Sequence, residues 1–485
     1  MSLDREIRTV AGTIRGTRHG AVTAFRGIPY AQPPVDGLRF RAPVPAPPWN
    51  EVRDASAFGP PVPQQASPPD ASDDWLTLNV WSPDIGATGL PVMVWIHGGA
   101  YLFGSSANPS QDGATLAAAG AVVVTLNYRM GVEGFAHLAG APDNRGILDQ
   151  ILALHWVREN VAAFGGDPGN VTVFGQSAGA GSVAALLAMP AAAGLFRRAI
   201  AQSLPGTFFT TRLAAAVSAA IASSVGVEST AAALARIPVS ELVRVTQAVV
   251  HSLPRRARTW GPMATARTPF SPVVDGDTLP RAPWTALAEG AGRGVDLLVG
   301  HTRDESPRDE EITDARATAT LDALIRGGDA AYRAAYPDAG PTRLHELVSS
   351  DWLVRMPSLR LADAQNTGGG RAWTYELCWG PGPDGAAHGL DGRLVFGTID
   401  VAALRTAFGA TVADEAAHLS EVMRADWLRF AATGDPGWPR YEPSTRSARV
   451  YDTVPTVRPY PEEASRRIWA EHRFGTLDLP GANAI

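Results

Sequence analysis

The sequence predicts an α/β protein built on a large, mostly parallel central sheet with helices on both faces and long insertions. Three observations carry this. Pro91 to Ile96, Ala121 to Tyr128 and Val171 to Phe174 are apolar runs with little or no polar alternation, as expected of strands covered on both faces. Between the second and third runs, residues 144–164 have helical spacing, with Ile147, Leu148, Ile151, Leu152, Val157 and Val161 on one side. Small-residue turns follow two of the runs, at His97 to Tyr101 and at Gly175 to Gly179, and sites in such sheets lie at the carboxyl ends of the strands.

With 485 residues, 45% of them hydrophobic, the chain can bury a large core. Length alone would allow about three domains. No Gly/Ser-rich, Pro-rich or charged linker divides it, however, and the proline clusters near Pro33, Pro60 and Pro68 fall in a loop-rich N-terminal region, so a single domain over residues 5–480 is expected. The net charge of −6 comes from interspersed acids and bases without a basic block, which argues against a nucleic-acid partner. No apolar run is long enough to span a membrane and the N-terminus has no signal-peptide core; a soluble, cytoplasmic protein is expected. Cys378, the sole cysteine, reads as a buried packing residue and excludes an intramolecular disulfide. No feature of the sequence sets an oligomeric state.

In chain order, IRTVAGTIRG and VTAFRGIPYAQPP alternate apolar and polar residues and predict short antiparallel strands, with another at Leu76 to Trp81. The runs at 91–96 and 121–128 come next, then the helix and the strand before Gly175. FRRAIAQSL predicts a further strand, and Leu213 to Val225 and Thr230 to Val250 two helical stretches. Val295 to Gly300 and Arg371 to Trp379 predict two more strands, the second leading into a Gly/Pro-rich loop that carries His388. The remainder, including EVMRADWLRFAATGDPGWP, reads as a helix and loops.

The stretch with the clearest chemistry is Gly175-Gln176-Ser177-Ala178-Gly179, between a β-branched run and an Ala/Leu-rich segment. Gly-x-Ser-x-Gly at a strand-to-helix turn is the nucleophile elbow, in which glycines permit a tight turn and the serine hydroxyl projects from the sheet end. Ser177 is the candidate nucleophile. A serine hydroxyl is a poor nucleophile at neutral pH, so a base and an acid to orient it are required. After the elbow, His388 lies in a loop following a strand, whereas His345, His418 and His472 lie in helical or terminal stretches. For the acid, Glu305 stands beside Asp304 and near Asp309, Glu310 and Glu311; the residues themselves leave Glu305 and Asp304 both open.

The blocks FRGIPYAQPP, LTLNVW, PVMVWIHGGAY, NYRMGVEGF, ILDQILALHWVRENVAAFGGDPGNVTVFGQSAGAGSV, FSPVVDGDTLP, GHTRDE and AAHGLDGRLVFG span most of the chain. In content and order they resemble the type-B carboxylesterases, the cholinesterase and p-nitrobenzyl esterase family on the α/β-hydrolase fold. The resemblance implies a serine carboxylesterase that hydrolyses neutral carboxylic esters through an acyl-enzyme, with a small-molecule ester substrate and no cofactor or metal ion. It implies Ser177, Glu305 and His388 as the catalytic set. The backbone N–H groups of Gly99, Ala100 and Ala178 would form the oxyanion hole, and Asp391 would shape the loop. A lipase or polymer-ester hydrolase would share these residues, and a non-catalytic adhesion module of the neuroligin kind would have lost Ser177. The base implies kcat/KM rising with pH through an inflection of roughly 6.5.

Two departures from the family pattern stand out. Gln176 replaces the usual glutamate before the serine, either as a tolerated polar substitution or as a loss of affinity for cationic substrates. Val62 and Trp75 occupy the positions of the family's N-terminal disulfide, and the loop between them has no aromatic residue to stack on choline. Short-chain neutral esters are the expected substrates.

Overall fold

The computed structural model describes residues 4–67, 72–266, 268–306 and 311–481. The first half of the sheet comprises β1 (Asp4–Arg8), β2 (Thr13–His19), β3 (Val22–Pro29), the short β4 (Arg53–Asp54), β5 (Thr77–Ser82), β6 (Leu90–Ile96) and β7 (Val122–Leu126). β8 (Gly166–Gln176) and β9 (Arg198–Gln202) follow, and β10 (Phe209–Thr210) and β11 (Val273–Val274) form a separate two-stranded sheet. β12 (Asp296–Thr302), β13 (Arg371–Leu377), β14 (Ser447–Tyr451) and β15 (Thr456–Pro459) complete the main sheet. Its order is β1-β2-β3-β5-β7-β6-β8-β9-β12-β13-β14-β15, with β4 beside β2. From β7 to β14 every pairing is parallel. This is the expected mostly parallel sheet, flanked by antiparallel strands.

The apolar run of β6 shows why the sheet needs cover on both faces. Val92, Val94 and Ile96 enter one core and Met93 and Trp95 the other, as the two-residue period of a strand dictates. Helix Arg145–Asn160 and helix Ala178–Ala188 pack into the first core, and helix Ala410–Thr433 into the second. Trp95 lies 4.8 Å from Phe174 and 5.0 Å from Phe396, centroid to centroid, joining β6, β8 and helix Leu390–Phe396 below the strand ends.

An ion pair buried without solvent contact fixes the loop after β7. The guanidinium of Arg129 donates to both oxygens of Asp149, at 2.7 Å from Nη2 and 2.9 Å from Nε, and both side chains are 0% exposed. Asp149 also accepts from the Arg129 backbone N–H, and Nη1 of Arg129 donates to the Arg41 carbonyl. Every partner is satisfied, as a buried ion pair requires.

Two expectations need correction. Thr230 to Val250 is not one helical stretch but two helices, Ala231–Leu234 and Val239–Ser252, interrupted at Pro238. Proline has no N–H to continue the ladder and its ring clashes with the preceding turn. The C-terminal remainder also contains β14 and β15, which extend the sheet beyond β13.

Candidate active site

Ser177 follows β8 and caps helix Ala178–Ala188 with φ 58° and ψ −124°. That left-handed φ is uncommon for a residue with a side chain and is held by its surroundings. The Ser177 N–H donates to the Gln202 carbonyl at 2.9 Å, and its carbonyl accepts from Gly181 N–H at 2.9 Å. The flanking glycines have a steric reason. A Cβ on Gly175 would lie 2.6 Å from the backbone of Gly179, and one on Gly179 would collide with the Ile96 carbonyl.

The turn after β6 comes close to the elbow. A Cβ built on Gly98 would be 2.6 Å from the Gln176 carbonyl oxygen and 3.2 Å from the Ser177 Cβ. Gly99, Ala100 and Tyr101 all have positive φ, at 113°, 55° and 59°. His97 anchors the turn: its ring stacks on Tyr128 at 4.5 Å and Nδ1 donates to the Gly98 carbonyl at 2.8 Å. Burial pulls its pKa down to about 4, so the ring is neutral at physiological pH. Among the described residues, the backbone N–H groups of Gly99, Ala100 and Ala178 donate to no other part of the protein. Ala178 follows Ser177 directly, and Gly99 and Ala100 belong to the turn whose Gly98 approaches it.

Glu305 and His388 are brought together from the ends of β12 and β13. Nδ1 of His388 donates to Oε2 of Glu305 in a short contact. The other carboxylate oxygen, Oε1, accepts from Ser203 Oγ at 2.6 Å and from Thr302 N–H at 2.8 Å. Burial would raise the Glu305 pKa, but the charge and hydrogen bond of His388, with Ser203 and His301, outweigh it and lower the pKa. For His388, desolvation acts downward and the charge and hydrogen bond of Glu305 act upward more strongly, so its pKa is raised. The Glu305 side chain is 1% exposed and that of His388 36%, which puts the acid in the interior and the imidazole toward solvent.

Asp304, the other acid left open by the sequence, faces away. It accepts from Arg343 at 3.1 Å, from Arg303 at 3.2 Å and from the Ala386 N–H at 3.2 Å, and so anchors the loop that carries His388. Of its acidic neighbours, Asp309 and Glu310 lie outside the described residues. Asp391 is fully buried and accepts from Tyr375 Oη at 2.6 Å and from the Gly392 N–H at 2.8 Å. Nε2 of His388 is met by the side-chain amide of Gln176 at 3.0 Å, and Ser177 Oγ makes no hydrogen bond among the described residues. Sequence reasoning missed Ser203 and the Gln176 contact. A serine at the end of a strand carries no local signature, and residues 176 and 388 meet only through the sheet order.

A family model described as the carboxylesterase family matches residues 3–325. Para-nitrobenzyl esterase of Bacillus subtilis (strain 168) is 39% identical over 493 residues, covering 95% of this chain and 97% of that protein. Carboxylesterase 3 of Homo sapiens is 32% identical, covering 96% and 90%. Among solved structures, a carboxylesterase of Geobacillus stearothermophilus superposes with a TM-score of 0.84 at 34% identity, covering 96% of this chain and 99% of that one. The chain belongs to the carboxylesterase family on the α/β-hydrolase fold and is a hydrolase of carboxylic esters.

Proposed function

We propose that the reaction runs through Ser177, His388 and Glu305. The observation that carries this reading is the contact of Glu305 with Nδ1 of His388 at the same sheet edge as the strained Ser177. Ser177 Oγ attacks the ester carbonyl while Nε2 of His388 takes its proton, and Glu305 stabilises the imidazolium. The oxygen that becomes negative is met by the N–H groups of Gly99, Ala100 and Ala178, already free before substrate arrives. His388 then returns the proton to the leaving alcohol. Water, activated by the same ring, attacks the acyl-Ser177 ester, releases the acid and restores the serine.

The relative from Bacillus subtilis is named for para-nitrobenzyl esters, and neutral esters of short acids with aryl or alkyl alcohols are the substrates we propose here. We also propose one catalytic domain over residues 5–480, since strands from both ends of the chain, β1 and β15, belong to one sheet, and a cytoplasmic location, since the only cysteine is the buried Cys378. Among the described residues no helix is long and apolar enough to cross a membrane.

The test is hydrolysis of p-nitrophenyl acetate by the wild type, Ser177→Ala, Glu305→Gln and Asp304→Asn, followed by a chain-length series. Ser177→Ala should lower kcat by on the order of 10⁶, and Glu305→Gln by less. Full activity in Glu305→Gln together with loss in Asp304→Asn would refute the acid assignment.

A further inference from the structure

Gln176 ends β8 and stands directly before Ser177. Its carboxamide sits between two glycines. A Cβ on Gly98 would lie 3.1 Å from its Oε1, and one on Gly389 would lie 3.6 Å from its Nε2. The amide nitrogen stands 3.0 Å from Nε2 of His388, the ring atom that must receive the serine proton.

The direction of that hydrogen bond follows from the opposite side of the ring. Nδ1 faces the Glu305 carboxylate, which only accepts, so Nδ1 carries the hydrogen. In the neutral imidazole Nε2 is then an acceptor. The Gln176 amide therefore donates an N–H to it.

We propose that Gln176 is a positioning residue that caps Nε2 of His388 between turnovers, holds the ring neutral, and extends ester hydrolysis to lower pH. This rests on the assignment of Ser177, His388 and Glu305 above. A donor at Nε2 stabilises only the neutral ring, whereas a carboxylate at position 176 would accept from Nε2–H and stabilise only the imidazolium. As it stands, the amide presents its donor end to the ring and so favours the neutral state; only a turn about its last bond, bringing Oε1 round, would let it accept from the imidazolium. The charged groups acting on His388 are Glu305, after β12, and Asp391, on helix Leu390–Phe396, and both raise its pKa. Gln176 supplies a neutral contact where a further negative charge would add to them.

The test compares wild type, Gln176→Glu and Gln176→Met, using the pH profile of kcat/KM for an uncharged ester. Each enzyme is first titrated with a p-nitrophenyl phosphonate and its site mapped, so that failure of the Ser177 assignment is seen separately. In Gln176→Glu the inflection should move up by about 1 to 3 units, as expected when an opposite charge approaches an imidazolium. Gln176→Met should fall between the two, with the rate at low pH reduced more than the high-pH plateau. If Gln176→Glu does not fold, ¹⁵N NMR of the His388 ring in wild type and Gln176→Met provides the same comparison through its titration midpoint. One equivalent of phosphonate on Ser177 with an unmoved inflection or midpoint would overturn the role of Gln176 alone. Absence of the Ser177 adduct would overturn both assignments.

Discussion

The hydroxyl of Ser203 donates to Oε1 of Glu305 at 2.6 Å, while the other oxygen of that carboxylate holds His388. Ser203 has a left-handed φ of 57°, and its N–H is tied to the Gly300 carbonyl at 2.8 Å, which fixes the hydroxyl under the acid. A hydrogen bond to a charged group is worth about 1.5 to 3 kcal/mol. Ser203→Ala should therefore lower kcat/KM by roughly 10- to 100-fold if that stabilisation is lost in the transition state. It should also raise the pH below which Glu305 becomes protonated, so the acid-side loss of activity begins earlier. A full pH profile of the variant checks both effects, and wild-type values throughout would remove Ser203 from the site.

The pH dependence of the wild type follows from His388. Its pKa is raised, because the charge and hydrogen bond of Glu305 outweigh desolvation of the ring. The protonated ring cannot accept the serine proton, so activity is lost as pH falls through the raised value. The kcat/KM inflection should stand above the ordinary histidine value of about 6.5. An inflection below that value, with a substrate that does not titrate, would contradict the balance of effects at Nδ1.

The buried pair Arg129–Asp149 predicts a stability effect separate from catalysis. Asp149→Ala leaves a guanidinium with no solvent contact and no charged partner at Nε and Nη2. The expected loss is about 3 to 5 kcal/mol, measured by denaturant unfolding. A loss below about 1 kcal/mol, the worth of an exposed pair, would mean that the site is more hydrated than its geometry implies.

Choline esters should be poor substrates. Gln176 puts a neutral amide beside Nε2 of His388. The loop from Pro63 to Asp74 has no aromatic residue, although residues 68–71 of it lie outside the described ones. A cation–aromatic contact would contribute about 0.5 to 2 kcal/mol. The comparison is kcat/KM for butyrylcholine against its uncharged isostere 3,3-dimethylbutyl butyrate. Preference for the charged ester would require a cation site elsewhere in the pocket.

How legible each part was depended on whether its signal was local. The strand Pro91 to Ile96 was readable because burial on both faces leaves a continuous apolar run, and β6 covers it. The elbow was readable because its glycines answer to clashes within a few residues of Ser177. β14 was not readable: SARVY mixes polar and apolar residues, and its pairing with β13 is a tertiary event. The choice between Glu305 and Asp304 needed the family resemblance, since two adjacent acids in one loop look alike. In the fold one turns to His388 and the other to Arg343 and Ala386. Ser203 and the Gln176 contact were invisible because both depend on which strands lie side by side.

Whether Ser177 is the residue acylated during turnover is decided by mapping the adduct of a p-nitrophenyl phosphonate. The enzyme is treated to complete inactivation, digested, and the modified peptide sequenced by mass spectrometry. One phosphonyl group per chain is expected, carried by Ser177 in the peptide with Gln176 and Ala178, with loss of activity in proportion to its incorporation. An adduct on another residue, or full turnover by enzyme already modified at Ser177, would contradict that assignment.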